Sequence, residues 1–184
     1  MRASPPLSLN AAPLWAAVFG ASMVLCRTTL LASQNAAAIN QCDAAAYHQF
    51  DFFAGDWDTY DVSDPRKIVA RNRVTPMVDG CALREVYEQA DGMRGESFST
   101  YDAARKIWHQ SWVTNRGQLL LLDGKLQGTR MVLTATEDQA GGATSLLRGI
   151  WWREGNTVRE RAERSTDGGK NWSVAFDIEF RPHR

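Results

Sequence analysis

The sequence predicts an all-β protein: an up-and-down antiparallel barrel of about ten strands, closed on itself and preceded by one short helix. Three observations carry that prediction. From residue 51 onward, short runs alternate apolar and polar side chains with a period of two, the period of a strand that buries one face. Gly, Asp, Asn and Pro punctuate those runs at short intervals, as turns require. No later segment sustains a helical period.

Taken in order, Asp43-Ala44-Ala45-Ala46-Tyr47-His48 reads as the short helix, with Asp43 as its cap, because a carboxylate can accept the orphan amide bonds of a first turn. Strands are expected near residues 51–61, 68–77, 81–90, 95–102, 107–114, 118–122, 130–136, 144–153, 157–165 and 172–181. Their connections are short, among them Val78-Asp79-Gly80, Asn115-Arg116-Gly117 and Glu154-Gly155-Asn156. Strands joined so tightly are antiparallel neighbours. A meander of about ten closes on itself to remove the exposed edges that a flat sheet would leave. With no internal repeat and no linker, residues 39–184 form a single domain.

The first 38 residues differ from the rest. No acidic residue precedes Asp43, and Arg2 stands before an apolar run from Leu14 to Cys26. That run is shorter than the ~20 residues needed to span a bilayer. It fits the apolar core of a secretory signal peptide, with Ala36-Ala37-Ala38 as the cleavage site, which predicts an exported, periplasmic or extracellular protein. The alternatives are an uncleaved anchor or a true start at Met23. Removal of the leader takes Cys26 with it and leaves Cys42 and Cys81. In an oxidising compartment that pair reads as one disulfide, closing a loop of ~40 residues and worth roughly 3–4 kcal/mol on the chain-entropy account.

The formal charge of zero, with both signs mixed along the chain, gives no footprint for nucleic acid or an anionic membrane. Cys42 and Cys81 form no Cys-x-x-Cys pair, and the three histidines His48, His109 and His183 stand in no known metal or catalytic motif, so no metal or cofactor is expected.

Phe50-Asp51-Phe52-Phe53-Ala54-Gly55-Asp56-Trp57 places a Gly-x-Trp at the start of the first strand, directly after the short helix. Here the chain resembles the lipocalin superfamily, the calycins. It is more closely similar to a family of bacterial exported calycin-like proteins without an assigned function. Gly80-Cys81-Ala82-Leu83-Arg84-Glu85, Trp108-His109-Gln110-Ser111-Trp112 and Ser165-Thr166-Asp167-Gly168-Gly169-Lys170-Asn171-Trp172 extend the likeness over residues 42–181. The resemblance implies that Trp57 closes the barrel floor, with Arg181 of the last strand across its ring. The last of those motifs also fits an Asp-box. Too few strands exist for a propeller, so it reads as a hairpin staple.

Polar residues interleaved with apolar ones on one strand face point to a lined interior. Cys81, Leu83, Glu85 and Tyr87 share a face, as do Trp108, Gln110 and Trp112, and as do Leu146, Arg148, Ile150 and Trp152. In residues 158–164 both faces carry charge, so whichever side turns inward brings an ionic group with it. Glu85, Tyr87, Trp108, Gln110, Trp112 and Arg148 are therefore expected to line one cavity for a small apolar or amphipathic ligand, its acid or hydroxyl group near Arg148 or Arg161. Two alternatives stay open. One is an acid/base enzyme of isomerase or hydrolase type using Glu85; the other is a structural domain whose core its own aromatics fill. Oligomeric state is not legible.

Overall fold

The computed structural model describes residues 42–138 and 141–184. The leader and Cys26 lie outside the described residues. Ten antiparallel strands follow one another around a closed barrel: β1 (Gly55–Asp61), β2 (Asp64–Met77), β3 (Ala82–Gln89), β4 (Arg94–Asp102), β5 (Ile107–Thr114), β6 (Leu119–Gln127), β7 (Arg130–Asp138), β8 (Thr144–Glu154), β9 (Thr157–Ser165) and β10 (Ser173–Pro182). Each strand pairs with its neighbours in sequence. β1 then pairs with β10, from Trp57 opposite Pro182 to Asp61 opposite Ile178, which closes the ring.

Pleating decides what the barrel holds. Leu83, Glu85 and Tyr87 on β3 turn inward, as do Trp108 and Gln110 on β5, Met131, Leu133 and Ala135 on β7, and Val158 and Ala162 on β9. Successive side chains alternate, so the intervening residues face outward. There Arg84 bonds Glu96, and Asp177 sits between Arg159 and Arg161.

One end of the barrel is plugged. Two 3-10 turns, Ala45–His48 and Asp51–Phe53, carry the chain across it. Phe50 and Phe53 are fully buried there: Phe50 meets Trp108 and Trp151 edge-on, and Phe53 packs on Phe180. Cys42 and Cys81 are disulfide-bonded, with Cα atoms 5.1 Å apart, and this bridge ties the plug to the start of β3. Trp57 is buried at the same end, where its indole donates to the Phe53 carbonyl at 3.0 Å. Gly55 explains the Gly-x-Trp spacing. A Cβ at that position would lie 2.3 Å from the Trp57 ring, so only glycine lets the indole fold back over its own strand.

Four expectations need correction. The helix is a 3-10 turn that starts after Ala44 and has no side-chain cap, so Asp43 does not cap it. Residues 51–53 belong to the second turn, not to a strand. β6 runs on to Gln127, past Asp123-Gly124, because Gly124 lets the β6 and β7 backbones approach: a Cβ there would lie 1.9 Å from the Val132 carbonyl oxygen. Arg181 does not cross Trp57. It pairs opposite Asp58, one residue out of phase with Trp57, and so lies on the outer face, over the Tyr60 ring at 4.0 Å and bonded to Glu179.

The Asp-box is a hairpin staple between β9 and β10. Asp167 accepts the Lys170 and Asn171 amides, Ser165 accepts the Gly169 amide, and Trp172 donates to the Gly169 carbonyl. Those amides hold Asp167 down at a pKa of about 2. Gly168 and Gly169 take the positive φ angles, 72° and 89°, that the turn needs.

Candidate functional site

At the end opposite the plug the lumen is not filled. A cavity of about 560 Å³ runs in from a rim that includes Asp61, Gln89, Met93, Gln118 and Arg164. That is within the range of about 300–1,000 Å³ typical of small-molecule sites. Its apolar wall comes from Trp112, Leu120, Leu122, Leu147, Trp151 and Ile178. Two glycines help keep it open. A Cβ on Gly149 would lie 2.3 Å from the Trp151 ring, and one on Gly95 would lie 2.2 Å from the Trp112 ring. Each indole therefore lies back against bare backbone on the wall instead of crossing the lumen.

The polar wall is a network centred on Glu85. Asn72 Nδ2 donates to one carboxyl oxygen at 2.9 Å, and Ser97 Oγ to the other at 2.8 Å. Gln110 Nε2 bonds the Ser97 and Ser99 hydroxyls in turn. Asn72, Ser97, Ser99, Glu85 and Gln110 are all buried, so each bond is made out of competition with water. Burial raises the Glu85 pKa, and its two hydrogen bonds only partly offset that. Tyr87 lies alongside, its phenol also pushed up by burial.

Facing this network from β9 is Glu160. It keeps some exposed surface, but that surface is part of the cavity wall. Burial drives its pKa well above the ordinary 4.5, and the nearby Glu85 carboxyl raises it further. The Trp151 indole lies opposite on β8 and acts against both effects, although its buried N–H falls outside hydrogen-bonding geometry. Two carboxyls thus share one low-dielectric lumen, a setting in which both resist ionisation.

Set against known proteins, the sequence matches no family model and no curated protein. What the site can do therefore has to be read from its chemistry.

Of the residues singled out from the sequence, Glu85, Tyr87, Gln110 and Trp112 come together on the cavity wall. Trp108 does not reach it. It is buried in the floor, against Phe50, with its indole N–H on Gln49 Oε1 at 3.2 Å. Arg148 is on the outside, paired with Glu163 and stacked at 3.9 Å on the Trp172 ring. Arg161 is outside as well, bonded to Asp177 at 2.6 Å. The expected head-group arginines are therefore absent from the lumen, because in β8 and β9 the inward residues are Leu147, Gly149 and Trp151, and Val158, Glu160 and Ala162. His109 bonds Asp123 and Ser111, away from the cavity. Among the described residues no group of three His, Cys, Asp or Glu side chains could hold a metal ion.

Sequence reasoning missed Glu160, Asn72 and Trp151. The Glu160 signal was present: Val158 and Ala162 give its face of β9 the apolar companions that the Arg159-Arg161-Glu163 face lacks.

Proposed function

We propose that this is an exported binding protein of calycin type, which carries a small apolar or amphipathic molecule inside its barrel. The single observation that carries the reading is the cavity of about 560 Å³, apolar on one side and polar on the other. A filled structural core would be close-packed, and this lumen is not. The ordered sequence motifs together with the closed ten-strand barrel support the calycin kinship. The Cys42–Cys81 disulfide supports an oxidising destination.

Amphipathic and apolar probes should quench tryptophan fluorescence saturably, since Trp112 and Trp151 line the wall. Trp151→Phe should remove a large part of that signal, and Arg148→Met, lying outside, should leave affinity unchanged. If no probe binds saturably and native mass spectrometry of the exported protein finds no co-purifying molecule, the reading fails.

A second reading has one observation in its favour. Glu160 beside Glu85 gives a pair of proton-holding groups, suited to acid/base work on the same occupant. Loss of turnover in both Glu85→Gln and Glu160→Gln, with binding kept, would mark it.

A further inference from the structure

The titratable groups that face the lumen are unevenly signed. They are Asp61 on β1, Glu85 and Tyr87 on β3, and Glu160 and Arg164 on β9. Arg164 is the one cation of the lining among the described residues, and Glu137 already pairs with it at 2.8 Å at the rim. Asp61, also at the rim, accepts the Ser63 amide and hydroxyl. Deeper in, neither Glu85 nor Glu160 has a cation beside it. Both oxygens of Glu85 are engaged by Asn72 and Ser97. Glu160 is held less firmly: the donor beside it is the buried Trp151 N–H, which lies outside normal hydrogen-bonding geometry.

We propose that the occupant is an amphipathic amine, with its protonated nitrogen against Glu160 and within the field of Glu85, and its apolar body along Trp112, Leu120, Leu122 and Leu147. This rests on the binding reading above and narrows it to a ligand class. An ammonium brings donors and no acceptor, which suits a carboxyl whose one neighbouring donor is poorly placed. Buried without a partner, a charged Glu160 is costly; paired with an ammonium, both charges are answered inside the lumen. The Trp112, Trp151 and Tyr87 rings add faces that attract cations. A carboxylic acid would meet two carboxyls and no unpaired cation. An alcohol would gain hydrogen bonds but no charge pairing.

The proton balance follows. In the free protein burial raises the Glu160 pKa and so favours its protonated form. A docked ammonium favours the carboxylate instead, so any proton held on Glu160 leaves to solvent and the bound pair is neutral.

The test uses the full disulfide-bonded chain and three probes of one alkyl length: a primary amine, the alcohol and the carboxylic acid. The amine should bind at least about tenfold more tightly than the alcohol, and the acid most weakly. Glu160→Gln should cost the amine at least about tenfold more affinity than it costs the alcohol, with urea unfolding of the variant showing that it is folded. Calorimetry in buffers of different ionisation enthalpy should record more proton release with the amine in the native protein than in Glu160→Gln. If amine and alcohol bind alike, or if the amine preference survives Glu160→Gln, the amine inference is overturned and the cavity reading stands. If none of the three probes binds saturably, the cavity reading falls first and takes this one with it.

Discussion

Glu160 shares its strand face with Val158 and Ala162, so its carboxyl goes where those apolar side chains go, into the lumen. Its pKa is raised in the folded state, so the native protein binds more protons than the unfolded chain at pH values above the ordinary 4.5. Stability therefore falls as pH rises through that window. Glu160→Gln removes the titration, and its urea midpoint should exceed that of the native protein at about pH 8 and match it at about pH 4. The two glycines under the indoles make a second case. Gly149→Ala should force the Trp151 ring off the wall, costing ~1–3 kcal/mol in unfolding and narrowing the cavity enough to weaken every bulky probe. Trp57→Ala, which empties the closed end beneath Gly55, should cost ~3–5 kcal/mol. At this scale Glu85 and Gln110 were legible because each stands between large side chains two residues away on its own face, Leu83 and Tyr87 for the one and Trp108 and Trp112 for the other, and Tyr87 and Trp112 share those faces. Arg148 was misread because its companions Leu146, Ile150 and Trp152 are as apolar as Leu147 and Trp151 on the opposite face.

That ambiguity has a cause at the scale of elements. The outer face of β8 is partly covered, so apolar side chains are tolerated there. Trp172 of the hairpin stacks on Arg148, while Trp152 lies under Arg130 at 4.7 Å and Arg159 at 5.4 Å. Alternation alone cannot tell a sheltered outer face from an inner one. Strand positions were legible because the turn residues are strict; strand ends were less so, since Gly124 looks like punctuation and is instead a close approach between β6 and β7. The β9–β10 hairpin depends on Asp167, whose depressed pKa of about 2 means its contribution is complete above the ordinary 3.8 and is lost as pH falls through the folded value. Asp167→Ala should speed amide exchange from residues 165 to 173 while leaving the β3–β4 amides protected.

For the whole molecule, the bridge and the plug act on the same end. Intact mass after alkylation should find no free thiol at Cys42 or Cys81 in the oxidised protein. Replacing both with serine should lower stability by roughly 3–4 kcal/mol without opening the ring, because the strand pairing does not pass through the plug. The ring itself is joined at β1 and β10, where Val62 bonds Asp177 and His183 bonds Asp56 across more than half the chain. In a growing polypeptide the strand that appears first therefore waits for the strand that appears last. Until Ile178–Pro182 emerge, β1 and the newest strand each present an unpaired edge, and either can accept a strand from another unfinished copy. Slow elongation or clipping within β10 should favour such intermolecular pairing, so the hazard this architecture carries lies in the order of assembly, and it ends when the two edges meet.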